Sequence, residues 1–569
     1  MKNHEKTSNL INVFRRKVLC LVLAVVLACG TAAMMTGCGS AQTNAETAEV
    51  VADSEADDTS ESTEDMAAPS SSDTSGESAT DSPDALDGAE VGDTVPMDTA
   101  ETPGTDEFVA KLEAIDGICD VTKDESGSIQ AYIEQPLDWQ SDTGKTFKQL
   151  FTIRYAGDDQ PVCYCVGGYN IATSASDLMM FPDGYSYNAV RIEYRYYGES
   201  RPEGLSNDST DMWEYLTLEN AAEDFHALIS KLDTIFTGKS VMTGVSKGGY
   251  TTNYQACKHP EDADLYISFC APLNESTADT RVYDFINNRI GDDVIGEEKA
   301  SELRELILDF TVECIRYKDD LKLAYKKKAI EENGEENYRS WAMEDDGGKL
   351  YDAVIADMQG AIWLDMGGVS EWSTPDGLKN SFESIISMPA STQEEIKAKE
   401  EAILNVICSI CDPSGYSCSE DAFMYTYVVQ SMMQIGNYAV DLTPLRERIA
   451  EEQEKDASFP DLSITKEEEA SVFLNIYLTD EFKEMASKFT VVHDELIEWE
   501  ETTKAQVIMV FGAADPWYAT AIPECDNENI TRIVVKSSDL CPMVGHSGAV
   551  SIYDEDSQKI IYDALEKLK

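Results

Sequence analysis

Histidine and positive charge are both scarce in this chain. There are five histidines in 569 residues, and 44 Lys and Arg stand against 107 Asp and Glu, a formal net charge of −63. That balance excludes the basic patches on which nucleic-acid binding depends, and it favours solubility and repulsion from anionic surfaces. No phosphate loop, nucleotide fingerprint or metal-ligand cluster stands out, so neither a cofactor nor a metal is expected. The most apolar run, 18–27, is too short and too early to be a good spanning helix. From 39 to 105 there is no aromatic residue, and no Lys or Arg follows until Lys111. Such a stretch buries too little apolar surface to offset its ordering entropy.

What is present at the start reads as an export signal. Arg15, Arg16 and Lys17 precede the apolar run, and Met35-Thr36-Gly37-Cys38 resembles a lipoprotein cleavage box. Cys38 is the expected lipidation site; Cys29 offers a second box, but cleavage there falls inside the apolar run. An uncleaved signal anchor is the alternative. The expected division is therefore a signal peptide over 1–38, an acidic tether over 39–106, and a globular body beyond, outside the membrane and held to it only by lipid. Without Cys20, Cys29 and Cys38 an odd number of the fourteen cysteines remains, so at least one thiol is unpaired. Cys408, Cys411 and Cys418 are close together, but no histidine lies near them. Buried thiols or one disulfide fit that cluster better than a metal.

The body alternates strand and helix patterns. Two strands joined by a turn are expected within 129–155, a short buried strand over 161–166, and another over 188–194. An amphipathic helix follows over 218–236, with Thr217 as its N-cap. Strands over 239–243 and 265–270 flank a second helix, the signature of a parallel sheet with right-handed crossovers. Helical patterns then fill 283–500 before strands resume at 506–511 and 533–535, with a last helix over 555–568. The reading is an α/β protein whose core, 107–274 and 504–569, is interrupted by a helical cap over 275–503.

The chemistry centres on Gly244-Val245-Ser246-Lys247-Gly248, a G-x-S-x-G turn between a strand and a helix. Such a turn exposes the serine hydroxyl above the sheet and aims the Lys247 N–H at the same point. The glycine pair after the 161–166 strand, leading into Tyr169, is placed to supply a second oxyanion donor from Gly168 or Tyr169. An acid and a histidine must follow in that order. Asp515, just past a strand in FGAADPW, is the acid; Asp539 lies too close before the histidine. His546 is the base, since His4, His226, His259 and His493 are out of order or outside the body.

The motifs EYRYYGESRP, WEYLTLENAAEDFHAL, GKSVMTGVSKGGYTTNY, FGAADPW and GHS resemble family thirty-seven of the serine peptidases, secreted bacterial prolyl tri- and tetrapeptidyl aminopeptidases of the α/β-hydrolase clan. The resemblance implies a Ser246–Asp515–His546 triad and release of short N-terminal peptides, often after proline. An aminopeptidase of this kind needs an acid for the substrate's protonated amine. Glu193 and Glu199, bracketing the RYYG loop, are the candidates, with pairing to Arg195 or Arg201 as the alternative. Trp517 is a candidate to stack on a proline ring. An esterase or acyl hydrolase with the same triad, and a non-catalytic surface-binding lipoprotein, are the competing functions.

Overall fold

The computed structural model describes residues 102–171, 180–368, 372–420 and 422–569. The signal, the expected lipid-bearing Cys38 and the expected tether up to residue 101 lie outside the described residues, while Thr105 and Asp106, expected to close the tether, already belong to a helix. Nine strands form one sheet: β1 (Ile118–Lys123), β2 (Ser128–Pro136), β3 (Thr146–Arg154), β4 (Val162–Cys165), β5 (Asn188–Ile192), β6 (Ser240–Val245), β7 (Leu265–Phe269), β8 (Val507–Gly512) and β9 (Ile530–Val535). Their order is β1-β2-β3-β5-β4-β6-β7-β8-β9. The first three strands and the β3–β5 pair are antiparallel, and everything from β5 to β9 is parallel. Strand order reverses around β4, where open α/β sheets place their ligand crevice beyond the strands' carboxyl ends. With its helical insertion, this is an α/β-hydrolase fold.

Period-two burial explains why these segments are strands. Val241 and Val245 face a core with Ile267, Ile508 and Val510, which also takes Ile561 and Leu565 of the C-terminal helix (Glu555–Glu566). Met242, Tyr266 and Met509 face the opposite core, beside Phe225, Leu228 and Leu232 of the crossover helix (Leu218–Leu232). Strands covered on both faces read as continuous apolar runs, and β6, β7 and β8 do. Thr217 caps the crossover helix as expected, its hydroxyl accepting from the Asn220 N–H. A helix over Thr105–Glu113 and strand β1 precede the first element expected from sequence.

Between Phe269 and Val507 the described residues form no strand; helices run from Arg281–Asn288 to Asp494–Thr502. The longest, Ser340–Leu364, is broken at Glu344–Gly347 and is regular thereafter. It returns to the carboxyl edge of the sheet, where the Leu364 and Met366 carbonyls accept the backbone N–H groups of His546 and Gly545.

The loop after β5 is locked by a buried ion pair. Arg195 and Asp224 are both fully buried, joined at 2.7 and 3.0 Å. Arg195 also donates to the Leu137 and Tyr215 carbonyls, and Trp139 Nε1 to Asp224, so the remaining donors and lone pairs are used. Removing one partner strands a charge in the core. Arg195→Met should therefore cost about 3–5 kcal/mol, read as a lowered unfolding midpoint. The Arg195→Met/Asp224→Leu double variant should recover much of that loss; a double variant no better than the single one would contradict the account.

Candidate active site

Ser246 closes β6 with φ 61° and ψ −125°, a conformation that L residues adopt only when their surroundings enforce it. Its N–H donates to the Phe269 carbonyl of β7, and its carbonyl accepts from Tyr250 as the elbow helix (Lys247–Lys258) begins. The glycines around it are required by contact. A Cβ on Gly244 would lie 2.4 Å from Gly248 backbone, and one on Gly249 2.5 Å from the Phe269 carbonyl. Ser246 itself stays half-buried amid buried neighbours.

Asp515 and His546 meet from two separate loops. His546 Nδ1 is 2.8 Å from Asp515 Oδ2; Asp515 is fully buried, and its Oδ1 accepts the Trp517 N–H at 3.0 Å. Gly548, two residues past the histidine, lies so close to β6 that a Cβ there would be 2.6 Å from Val245 Cγ2. The histidine loop therefore packs on the residue preceding Ser246. Its other side is held by the helical insertion, through the two carbonyls named above. The Asp515–His546 pair thus joins the segments after β8 and β9, and the histidine loop packs against the end of β6.

The expected oxyanion loop touches the elbow backbone to backbone. Gly168 has φ 75°, and a Cβ on it would stand 2.8 Å from the Gly248 nitrogen and 3.0 Å from the Lys247 carbonyl carbon. The Lys247 side chain, which sequence reasoning left without a role, makes the junction. Its ammonium is buried, donates to the Gly168 carbonyl and sits 3.2 Å from the Tyr194 ring centroid, with Tyr197 and Tyr169 at 5.0 and 5.4 Å. Among the described residues no carboxylate pairs with it, and burial pushes its pKa well below the ordinary lysine range. A trans peptide points its C=O and N–H in opposite directions. With the Gly168 carbonyl turned to the ammonium, the Tyr169 N–H is turned away from it. The Lys247 N–H, at the first position of a helix, has no intrahelical acceptor.

The two acidic candidates are placed differently from expectation. Glu193 is 2% exposed, with Oε1 accepting the Ile171 N–H and Oε2 accepting the Ser200 N–H and hydroxyl. It ties the Gly168 loop to the loop after β5, and Gly198 is needed there because a Cβ would be 2.4 Å from its carboxylate. Neither expected arginine partner meets it: Arg195 pairs with Asp224, and Arg201 bonds Asn207. Glu199 is exposed and neighbours Glu193 and Tyr132 of β2, a strand four places from β6. Trp517 is half-buried and faces Tyr438 of the insertion, with ring centroids 4.8 Å apart.

Two groups of side chains have metal-like spacing. Cys270, Asp515 and His546 are one; burial raises the Cys270 thiol well above its usual range, which keeps it protonated and a poor ligand. His226, His259 and Asp262 are the other, with stacked imidazoles 4.1 Å apart and His226 Nδ1 2.7 Å from Asp262. His259 ends the elbow helix, at the opposite end from Ser246. Cys408, Cys411 and Cys418 are all buried, and no disulfide is formed among the described residues.

The lysine's job is testable. Lys247→Met keeps the apolar stem but releases the Gly168 carbonyl, so kcat should fall about 100-fold, the scale of losing one oxyanion donor, with KM little changed. A kcat within twofold of the parent enzyme would contradict the assignment.

The family model for PS-10 peptidase S37 matches residues 111–445, a span that contains the Ser246 elbow and ends before Asp515 and His546. The chain is 28% identical over 231 residues to the prolyl tri/tetrapeptidyl aminopeptidase of Streptomyces mobaraensis, a match covering 40% of this chain and 44% of that relative. Among solved structures it is similar to the proline iminopeptidase of Mycobacterium smegmatis, at 12% identity and a TM-score of 0.27 over 77% of this chain and 98% of that one. It is also similar to an epoxide hydrolase of Vigna radiata, at 13% identity and a TM-score of 0.28 over the same shares. Since the family match spans more than half of the chain, this protein belongs to the PS-10 peptidase S37 family.

Proposed function

We propose that this chain is a serine exopeptidase that releases short N-terminal peptides, cutting preferentially after proline, at the cell surface and anchored by lipid on Cys38. The observation that carries the catalytic part is the Asp515–His546 hydrogen bond beside the strained Ser246, within a peptidase family. The name of the Streptomyces relative supports the tri- or tetrapeptidyl specificity.

In this reading Asp515 holds the Nδ1–H of His546, which leaves Nε2 to take the serine proton as Oγ attacks the scissile carbonyl. The Lys247 and Tyr169 N–H groups receive the oxyanion. Collapse expels the amine with the proton from His546 and leaves an acyl-enzyme on Ser246, which water hydrolyses by the same acid–base exchange. Trp517, exposed to the cleft, offers an aromatic face to a proline ring.

Three substrates separate the competing activities: a free-amine tripeptide amide ending in proline, its N-acetylated twin, and a short-chain phenyl ester. The expected result is cleavage of the free-amine peptide alone. Ser246→Ala should lower its turnover by about 10⁶-fold and Asp515→Asn by about 10⁴-fold. Preference for the ester would assign an acyl hydrolase, and no Ser246-dependent turnover on any of the three would leave a binding protein. The anchor is checked separately: Cys38→Ala should move the protein from the membrane pellet to the soluble fraction, and unchanged pelleting would sink it.

A further inference from the structure

Asp357 lies in the middle of the long cap helix, between Ala356 and Met358, which are fully buried, yet it keeps part of its surface accessible. Ser246, Tyr169, Tyr427, Tyr438 and Trp517 share that intermediate exposure. Tyr169 of the expected oxyanion loop is 6.2 Å from Tyr427. On the acid's side, Tyr438 is 4.8 Å from Trp517, two residues past Asp515, and the Tyr438 hydroxyl is 2.8 Å from Asp357 Oδ1. A run of contacts therefore leads from the Asp515 loop through two aromatic rings to one carboxylate of the cap.

That carboxylate differs from three buried aspartates that carry a cation. Asp224 has Arg195, Asp352 has Lys318 at 2.8 Å, and Asp279 has Arg281 at 2.6 Å. Asp357 has two hydroxyls, Tyr438 on Oδ1 and Tyr416 on Oδ2, each at 2.8 Å, and no cation among the described residues. A carboxylate accepts about four hydrogen bonds, so capacity remains. Burial raises this carboxyl above its usual range, against the two hydroxyls that lower it. An ammonium entering from the cleft would supply the missing charge, and the faces of Tyr438 and Trp517 would favour it further.

Resting on the peptidase reading above, we propose that Asp357, oriented by Tyr416 and Tyr438, binds the protonated N-terminus of the substrate. The role expected of Glu193 or Glu199 passes to the cap.

The test is binding and turnover together. On the Ser246→Ala protein, calorimetry with the free-amine tripeptide amide and its N-acetyl twin should show the free amine bound about 100-fold more tightly, the scale of losing one partner of a buried charge pair. Adding Asp357→Asn should abolish that ratio, while Asp357→Glu, which keeps the charge, should restore most of it. In the active enzyme Asp357→Asn should lower kcat/KM for the free-amine tripeptide about 100-fold, and Asp357→Glu should restore most of it. A binding ratio that survives Asp357→Asn, or a free-amine kcat/KM unchanged by it, overturns the assignment. Discrimination by binding without any Ser246-dependent turnover would keep the amine site and overturn the peptidase reading instead.

Discussion

A buried ammonium with no carboxylate partner among the described residues holds this site together. Lys247 follows the nucleophile position, and its side chain runs into the protein to reach the Gly168 carbonyl under three tyrosine rings. Desolvating such a group is costly. The return is geometric: one carbonyl is pinned, its peptide plane is set, and the loop after β4 is brought against the elbow after β6. Glu193 works on the far side of the same loop, taking the Ile171 N–H. Arg195 and Asp224 brace the segment that carries Tyr194 and Tyr197. The polar interior around the nucleophile is thus a set of fasteners for backbone, not a set of reacting groups.

The helical insertion is part of the catalytic structure as well as a cover. Its long helix ends where the histidine loop needs two hydrogen-bond acceptors, and the Leu364 and Met366 carbonyls supply them. Gly545 allows this approach, since a Cβ there would be 2.8 Å from the Met366 and Trp363 carbonyl oxygens. A shift of the cap would move the imidazole and Asp357 together, because both are tied to one rigid rod. In the proposed reading, amine binding and acid–base geometry are in this way coupled through a single element.

The strand–helix alternation was legible because each segment carries its own periodicity: β6 splits its apolar residues between two cores, and Thr217 caps the crossover helix with its own hydroxyl. The helix over Thr105–Glu113 was not, since it follows an acidic low-complexity run and adds only Phe108 and Leu112 to the buried apolar core. The elbow helix, from Lys247, runs through Gly248 and Gly249, which weaken helix propensity but are required there by close backbone contact.

Candidates for nucleophile, acid and base could be named from sequence alone because local turns place them just past strands, and scarcity left one histidine in the right order. The amine acceptor could not be found that way. Glu193 and Glu199 lie near the motif in sequence, but a carboxylate's role depends on which donors surround it. Two backbone N–H groups and the Ser200 hydroxyl take up Glu193, Glu199 is exposed beside Tyr132 of β2, and cations neutralise Asp224, Asp279 and Asp352. Asp357 stands 111 residues beyond Ser246 in a helix with no motif. Only packing of the cap against the sheet's edge brings its carboxylate to the cleft, because charge compensation is a property of neighbours in space.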